Sequence, residues 1–317
     1  MLARHAVALT AATARRGCAA HLAAWTPGCH VSTSAASFAG GAASSDLSKE
    51  ELAAKYPSLA RGLFAGRIES GGVHPFPEVL TAEQTETLGM LVDPVEKFMS
   101  TDNDAAQNDR DAAVPAEITE GLKSMGAFGM QVPEEFSGIG LNNSAYARMV
   151  EIVGKHDLGV GIYLGAHQSI GFKGILLDGN DAQKEKYLPR LATGEWLAAF
   201  ALTEPGSGSD AASIKTRATL SEDGSHYVLN GSKIWISNGG MCQLYTVFAQ
   251  TEVTDPVTGA KKDKITAFIV ERDFGGITSG PPEKKLGIKC SNTAEVSFDG
   301  TKVPVENVLG EVGGGFK

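Results

Sequence analysis

Between Leu47 and Gly194 the apolar positions recur three and four residues apart. Leu88, Leu91, Val92, Val95, Phe98 and Met99 form one stripe, Ile118, Leu122, Met125 and Phe128 a second, and Tyr146, Met149, Val150 and Val153 a third. That is the period of one helix face, so the stripes predict packed helices. Pro75 and Pro77 ahead of the first stripe, and Pro133 with Gly138 and Gly140 between the later ones, mark loops. Beyond about Phe200 the period shortens. Tyr227 to Leu229, Lys233 to Ser237, Leu244 to Thr251, Ile265 to Glu271 and Ala294 to Phe298 read as strands. Asn230-Gly231, Asp255-Pro256, Thr258-Gly259 and Asp299-Gly300 read as turns between them. Asn230-Gly231 predicts a two-residue hairpin, because both positions favour φ > 0, and Trp235 and Ser237 then share a face of the returning strand. The change of period predicts an α+β fold, with an all-α helical domain at 46–198 followed by an antiparallel β-barrel or sandwich domain at 199–317.

Composition adds a compartment and removes some partners. The 317 residues are 42% hydrophobic, enough for two globular domains. The longest weakly polar stretch, Leu158 to Leu177, is broken by glycines, His167, Gln168 and Lys173, and so reads as a buried helix rather than a membrane span. A net charge of −9 argues against a nucleic-acid partner. Residues 1–45 carry Arg4, Arg15 and Arg16 among many Ala, Ser and Thr, with no acid before Asp46. This is the composition of a mitochondrial transit peptide. Of the four cysteines, Cys18 and Cys29 fall in that leader while Cys242 and Cys290 are isolated. They form neither a disulfide framework nor a metal site. His156 and His167 have no partner at ligand spacing and read as packing or capping residues.

The candidate chemistry concentrates in Phe200 to Ser213, FALTEPGSGSDAAS. Pro205 sets the chain direction, and Gly206 and Gly208 let a ligand approach the backbone. Thr203, Ser207 and Ser209 add hydroxyls, a set suited to a planar polar ring edge plus a phosphate held by backbone N–H groups. Trp235 and Ser237 would present an indole plane and a hydroxyl to a flat ligand. Within Leu158 to Gly171 the glycines are costly, each losing up to about 1 kcal/mol against alanine in a helix interior. Gly161 and Gly165, four apart, lie on one helix face. They either open a groove or permit close helix packing.

Taken together, Ala201 to Ser213 and Trp235-Ile236-Ser237 closely resemble the two signature elements of the acyl-CoA dehydrogenase family. Similarity continues through 165–177, 183–195, 263–278 and 303–313, so that it covers roughly residues 60 to 317. The flanking segments are most similar to the mitochondrial branch that takes the longest acyl chains. The resemblance implies an FAD-dependent oxidoreductase that converts long-chain acyl-CoA to trans-2-enoyl-CoA in fatty-acid β-oxidation. Carried over residue by residue, Phe200, Leu202 and Thr203 touch the isoalloxazine, and Gly208 and Ser209 face its polar edge and phosphate side. Trp235, Ile236 and Ser237 cover the ring, with the Ser237 hydroxyl placed to stabilise developing negative charge. Ser209 also reaches the acyl-CoA, and Gly161 and Gly165 line the acyl tail.

The same resemblance puts the catalytic carboxylate in a helical domain C-terminal to Lys317. Glu204 is assigned a structural role and Asp210 reads as a loop or cap residue. The 317-residue stretch alone is therefore expected to be inactive. Electron-transferring flavoprotein is the implied acceptor, the full-length protein is expected to be a homo-oligomer, and any peripheral association with the inner membrane would run through the C-terminal region. The expected location is the mitochondrial matrix or the matrix face of the inner membrane. Two other readings share the motifs. One is a noncatalytic binding or assembly protein on this fold, and the other an acyl-CoA oxidase, against which the basic leader speaks.

Overall fold

The computed structural model describes residues 58–68, 70, 73–74 and 79–316. The leader, and the loop assigned to Pro75 and Pro77, lie outside the described residues. The chain separates into two units, one up to Pro77 and one from Glu78. In the first, the described helix is α1, Leu59–Phe64.

The second unit begins with helices α2, Ala82–Thr101, α3, Ala105–Asp111, and α4, Ala116–Ser124. Helices α5, Asn143–His156, and α6, Leu158–Gly165, follow, and then α7, Lys173–Asp178, and α8, Asp181–Ala192. Side-chain caps start five of these seven. Thr81 and Asn180 form capping boxes, and Asp104, Asn142 and Asp157 each accept a bond from the first turn. The predicted stripes face inward: Val95, Met99, Ile118, Leu122, Phe128, Met149 and Val153 are all buried.

The single buried helix expected over 158–177 is instead three pieces. Between α6 and α7, Ala166–Gly171 is a π-helix, closed by a bond from Phe172 N–H to His167 O of 3.1 Å. Such a segment widens the turn and is held by side chains from elsewhere. Gln168 donates to Ala127 O at 2.9 Å and accepts from Met130 N–H at 3.3 Å. His167 is wholly buried. Its Nδ1 accepts from Ala198 N–H at 2.9 Å while Nε2 lies 2.9 Å from Leu191 O, which fixes the neutral tautomer protonated on Nε2. One imidazole thus ties the π segment to the end of α8 and the first strand.

Helix gives way to strand between Ala192 and Ala198. The strands are β1, Ala198–Ala201, β2, Arg217–Leu220, β3, His226–Ser237, and β4, Leu244–Thr254. After these come β5, Lys261–Glu271, β6, Ile277–Ser279, β7, Thr293–Pro304, and β8, Val308–Leu309. They form one sheet in the order β6-β7-β3-β2-β4-β5-β8, with β1 beside β4. The sheet is mixed, not purely antiparallel, since β1 and β2 both pair with β4 in parallel. The core is shared: one cluster joins Met99, Phe128 and Tyr163 of the helical part to Tyr245, Phe268 and Phe298 of the sheet.

The hairpin expected at Asn230-Gly231 does not form. β3 runs straight through it, paired to β7 from His226↔Pro304 to Ser237↔Thr293. Asp299-Gly300 likewise lies inside β7. The register passes from Leu229↔Thr301 to Gly231↔Phe298, so Asn230 opposes both Asp299 and Gly300. The two dipeptides therefore make a β-bulge, and Asn230 Oδ1 accepts from Gly300 N–H at 2.8 Å. A Cβ on Gly231 would stand 2.4 Å from Thr216 Oγ1, which explains this glycine without a turn. Hairpins do form between β2 and β3 around Ser221 to Ser225, and between β4 and β5 around Asp255 to Ala260, where Asp255 Oδ1 accepts from Val257 and Thr258 N–H groups.

Burial pushes the His167 pKa down to about 4. The unfolded chain takes a proton on this residue near pH 6.5, so between those values it binds more protons than the folded one. Stability from His167 is therefore complete above about pH 6.5 and falls as pH drops toward 4, by at most about 3 kcal/mol. His167→Gln, which can satisfy both partners but cannot protonate, should be less acid-sensitive than the parent in urea titrations across this range. Parallel pH profiles would refute the assignment.

Candidate functional site

The signature turn is built on a buried ion pair. Lys233 is fully buried on β3, and its Nζ donates to Leu202 O at 3.0 Å, Phe248 O at 2.8 Å and Glu204 Oε1 at 2.8 Å. Glu204 is 6% exposed and also accepts from Lys215 N–H, Thr216 N–H and the Thr216 hydroxyl at 2.6, 2.9 and 2.5 Å. Burial would raise its pKa, but the bonds from Lys233, Thr216 and Lys215 override that and hold it below the ordinary carboxylate value. A carboxylate with four donors is a structural anion, not a free base. Backbone bonds of 3.0 Å in both directions between Glu204 and Ser207 close the turn.

This base brings the two motifs together. Ile234 N–H donates to Thr203 O at 2.9 Å, so the signature turn is hydrogen-bonded to the residue before Trp235. β3 carries a second irregularity here. Its register passes from Lys233↔Val296 to Ile236↔Ala294, leaving Ile234 and Trp235 opposite Glu295. Trp235 sits at φ 59, a left-handed conformation that a bulky residue rarely adopts, and its side chain is 58% exposed. A strained backbone that turns an indole outward is a feature of a binding surface.

The predicted residues divide. Thr203, Gly208, Ser209, Trp235 and Ser237 all present surface, and no described residue engages the hydroxyls of Thr203, Ser209 or Ser237. A Cβ on Gly206 or Gly208 would meet nothing within 4 Å, so the space over the turn is open. Phe200 and Leu202 are half-buried in the second core cluster, the Phe200 ring 5.0 Å from that of Phe248. Ile236 is 2% exposed in the main core, so only its backbone can face a ligand. Ser207 is also withdrawn. It is 3% exposed and its hydroxyl donates to Asp210 O at 2.5 Å. An open Gly/Ser turn, an exposed indole and three free hydroxyls fit a flat ligand with a polar edge and a phosphate. Sequence reasoning missed Lys233, although its parity with Tyr227, Leu229 and Gly231 places it on the buried face.

The two groove glycines also part company. A Cβ on Gly161 would lie 3.5 Å from Gly154 Cα, where α6 crosses α5, whereas Gly165 has nothing within 4 Å. A Cβ on Gly161 would thus make only ordinary contact with α5, while Gly165 faces open space. A separate cavity of about 270 Å³, lined by Thr119, Lys123, Tyr163, Leu197, Met241 and Gln243, touches none of the candidate cofactor residues.

The chain was compared with known proteins. Residues 85–195 match the acyl-CoA dehydrogenase N-terminal domain and residues 199–301 the acyl-CoA dehydrogenase middle domain. The human very long-chain specific acyl-CoA dehydrogenase, mitochondrial, is 62% identical over 292 residues, 88% of this chain and 45% of the human protein. The bovine protein of the same name is 65% identical over 260 residues, 82% of this chain and 40% of its own length. The chain thus spans less than half the length of these relatives. An acyl-CoA dehydrogenase from Bacillus anthracis, solved in complex with FAD, superposes with a TM-score of 0.66 at 40% identity, over 75% of this chain and 39% of that one.

Lys233→Met should destabilise the protein by about 3 kcal/mol or more, because it leaves Glu204 buried with its charge uncompensated. Adding Glu204→Gln should recover part of that loss, so the double variant unfolds at higher urea than the two single losses predict. Strictly additive losses would show that the pair does not act as a unit.

Proposed function

Because this chain belongs to the acyl-CoA dehydrogenase family through its N-terminal and middle domains, we propose that it serves an FAD-dependent α,β-dehydrogenation of long and very-long-chain acyl-CoA. The observation that carries the reading is the bond from Ile234 N–H to Thr203 O, which sets the open Gly/Ser turn beside the exposed indole. The flavin, when bound, accepts hydride from the acyl β-carbon. Trp235 offers its exposed face to the ring, and backbone N–H groups around Gly208 and Ser209 meet the polar edge and phosphate side. The Ser237 hydroxyl, unclaimed by other residues, can donate to charge that develops on the ring system. As a fixed dipole beside that charge it lowers the barrier without reorganising.

The α-proton needs a carboxylate base, and Glu204 at the turn cannot serve, since it is saturated with donors. On this reading the base would come from the C-terminal part of the full-length protein. Electrons would pass to an electron-transferring flavoprotein, in the mitochondrial matrix or on the matrix face of the inner membrane. The full-length protein would act as a homo-oligomer. The basic, acid-free leader and the mitochondrial relatives support that location.

Three variants of the full-length protein test the reading. Trp235→Ala should weaken FAD binding about tenfold, the scale of a lost aromatic stack. Ser237→Ala should keep FAD but slow anaerobic flavin reduction by palmitoyl-CoA. A tryptophan variant that holds its yellow cofactor through dialysis as well as the parent would remove β3 from the flavin site. A parent that binds FAD yet is never reduced by acyl-CoA would favour a noncatalytic role. For the acyl tail, Gly165→Gln should lower activity on long chains more than on medium ones. Uniform loss across chain lengths for the Gly165 variant would refute the groove.

A further inference from the structure

The corner that follows Ser237 has an arrangement its own stability does not explain. Asn238 is completely buried and sits at φ 62. Its backbone N–H donates to Asn292 O at 2.6 Å, and its carbonyl accepts from Met241 and Cys242 N–H groups at 3.0 and 2.9 Å. The side chain reaches across to the helical part, where Nδ2 donates to Tyr163 O at 3.0 Å. Oδ1 has no hydrogen-bond partner among the described residues, nor has the buried hydroxyl of Ser291, one residue from Asn292. Buried acceptors without donors are costly, and a left-handed non-glycine residue adds strain. A leucine or a glycine at this position would avoid the unpaired oxygen, and a glycine would avoid the strain as well. What neither could supply is the bond to Tyr163 O.

That bond joins two elements of the candidate site. On one side Asn238 is the next residue but two after Trp235 and directly follows Ser237. On the other, Tyr163 lies on α6 midway between Gly161 and Gly165 and three residues ahead of the π-helix. The Tyr163 ring is locked edge-to-face on Phe128, at 5.8 Å, and Phe128 in turn on His167 at 5.5 Å. Tyr163 cannot shift without moving the packed aromatic cluster at the base of the π-helix. A change along α6 is therefore felt at Asn238, and through it at the strand end bearing Ser237 and Trp235.

We propose that Asn238 is a positioning residue that couples the helix lining the acyl tail to the strand covering the flavin. The proposal rests on the functional reading above. It makes the orientation of the Ser237 hydroxyl depend on how α6 and the π-helix are held, and so on what lies beside them.

Hydrogen exchange on the full-length protein, with and without FAD, tests the coupling. Asn238→Gly removes the side chain in a residue that adopts φ 62 freely, and Asn238→Asp keeps the shape and, at a pH where its carboxyl is ionised, offers no donor to Tyr163 O. Without FAD, both should speed exchange of amides 166–172 by about tenfold, the factor one hydrogen bond is worth, leaving amides in β5 unchanged. In the parent, FAD should further protect amides 166–172, and in both variants that protection should vanish. With palmitoyl-CoA the variants should lose kcat with little change in KM. Unchanged exchange at 166–172, or a uniform rise across the sheet accompanied only by a lower melting temperature, would overturn the proposal. A parent that binds no FAD would refute the functional reading, while the FAD-free comparison would still decide whether Asn238 holds the helix.

Discussion

The structure depends on a lysine taken wholly out of water. An ammonium and a carboxylate each lose several kcal/mol of hydration on burial, and the arrangement survives only because the donors are matched. Lys233 reaches three acceptors, and Glu204 is met by four donors. Those partners come from different places: the exit of β1, the approach to β2, β3 itself and Phe248 on β4. The pair acts as a rivet through the sheet, and residues 205–209 stand on it. Their exposed glycines and hydroxyls contribute little to folding, so the turn can be shaped for a ligand while its foundation supplies the rigidity.

How legible this was in the sequence follows from what each signal measures. The helical stripes were readable because burial on one face forces the period, and Val95, Met99, Ile118, Leu122, Met149 and Val153 lie where that period puts them. The Asn-Gly and Asp-Gly dipeptides misled for a physical reason. They report a need for φ > 0 or for closely approaching backbones, and a bulge inside two long strands satisfies that need as well as a turn does. Position along the chain cannot separate the two; only knowing that 229 pairs with 301 can. The parallel pairings of β1 and β2 with β4 were illegible for the same reason, being long-range choices that leave no local mark.

The site was legible as composition and illegible as geometry. Residue types picked out Thr203, Ser209, Trp235 and Ser237, which the fold leaves open. They equally picked out Ser207, and the family resemblance added Ile236, both of which it closes. Ser207 sits two residues from Ser209 in a run of small hydroxyl residues, and nothing in the sequence says that one caps the turn while the other faces out. That decision belongs to the ion pair, whose closed turn fixes which way each hydroxyl points. Gly161 and Gly165 show the same limit, since the spacing that puts them on one helix face cannot tell which of them meets Gly154.

Of the five described non-glycine residues with left-handed backbone, Ala112, Ser137 and Ile288 lie elsewhere, and the other two fall at the candidate site. Trp235 and Asn238 both take left-handed backbone, the π-helix interrupts α6 three residues past Tyr163, and Asn238 links the two irregular segments with one hydrogen bond. A chain selected for stability alone would place leucine, not an exposed tryptophan, in a regular strand, and would continue α6 with four-residue bonds. Each departure costs folding energy. Their linkage through Asn238 fits the proposed function, in which a flat ligand would lie against the strand and a long chain beside the helix, because each needs a surface that regular structure does not provide.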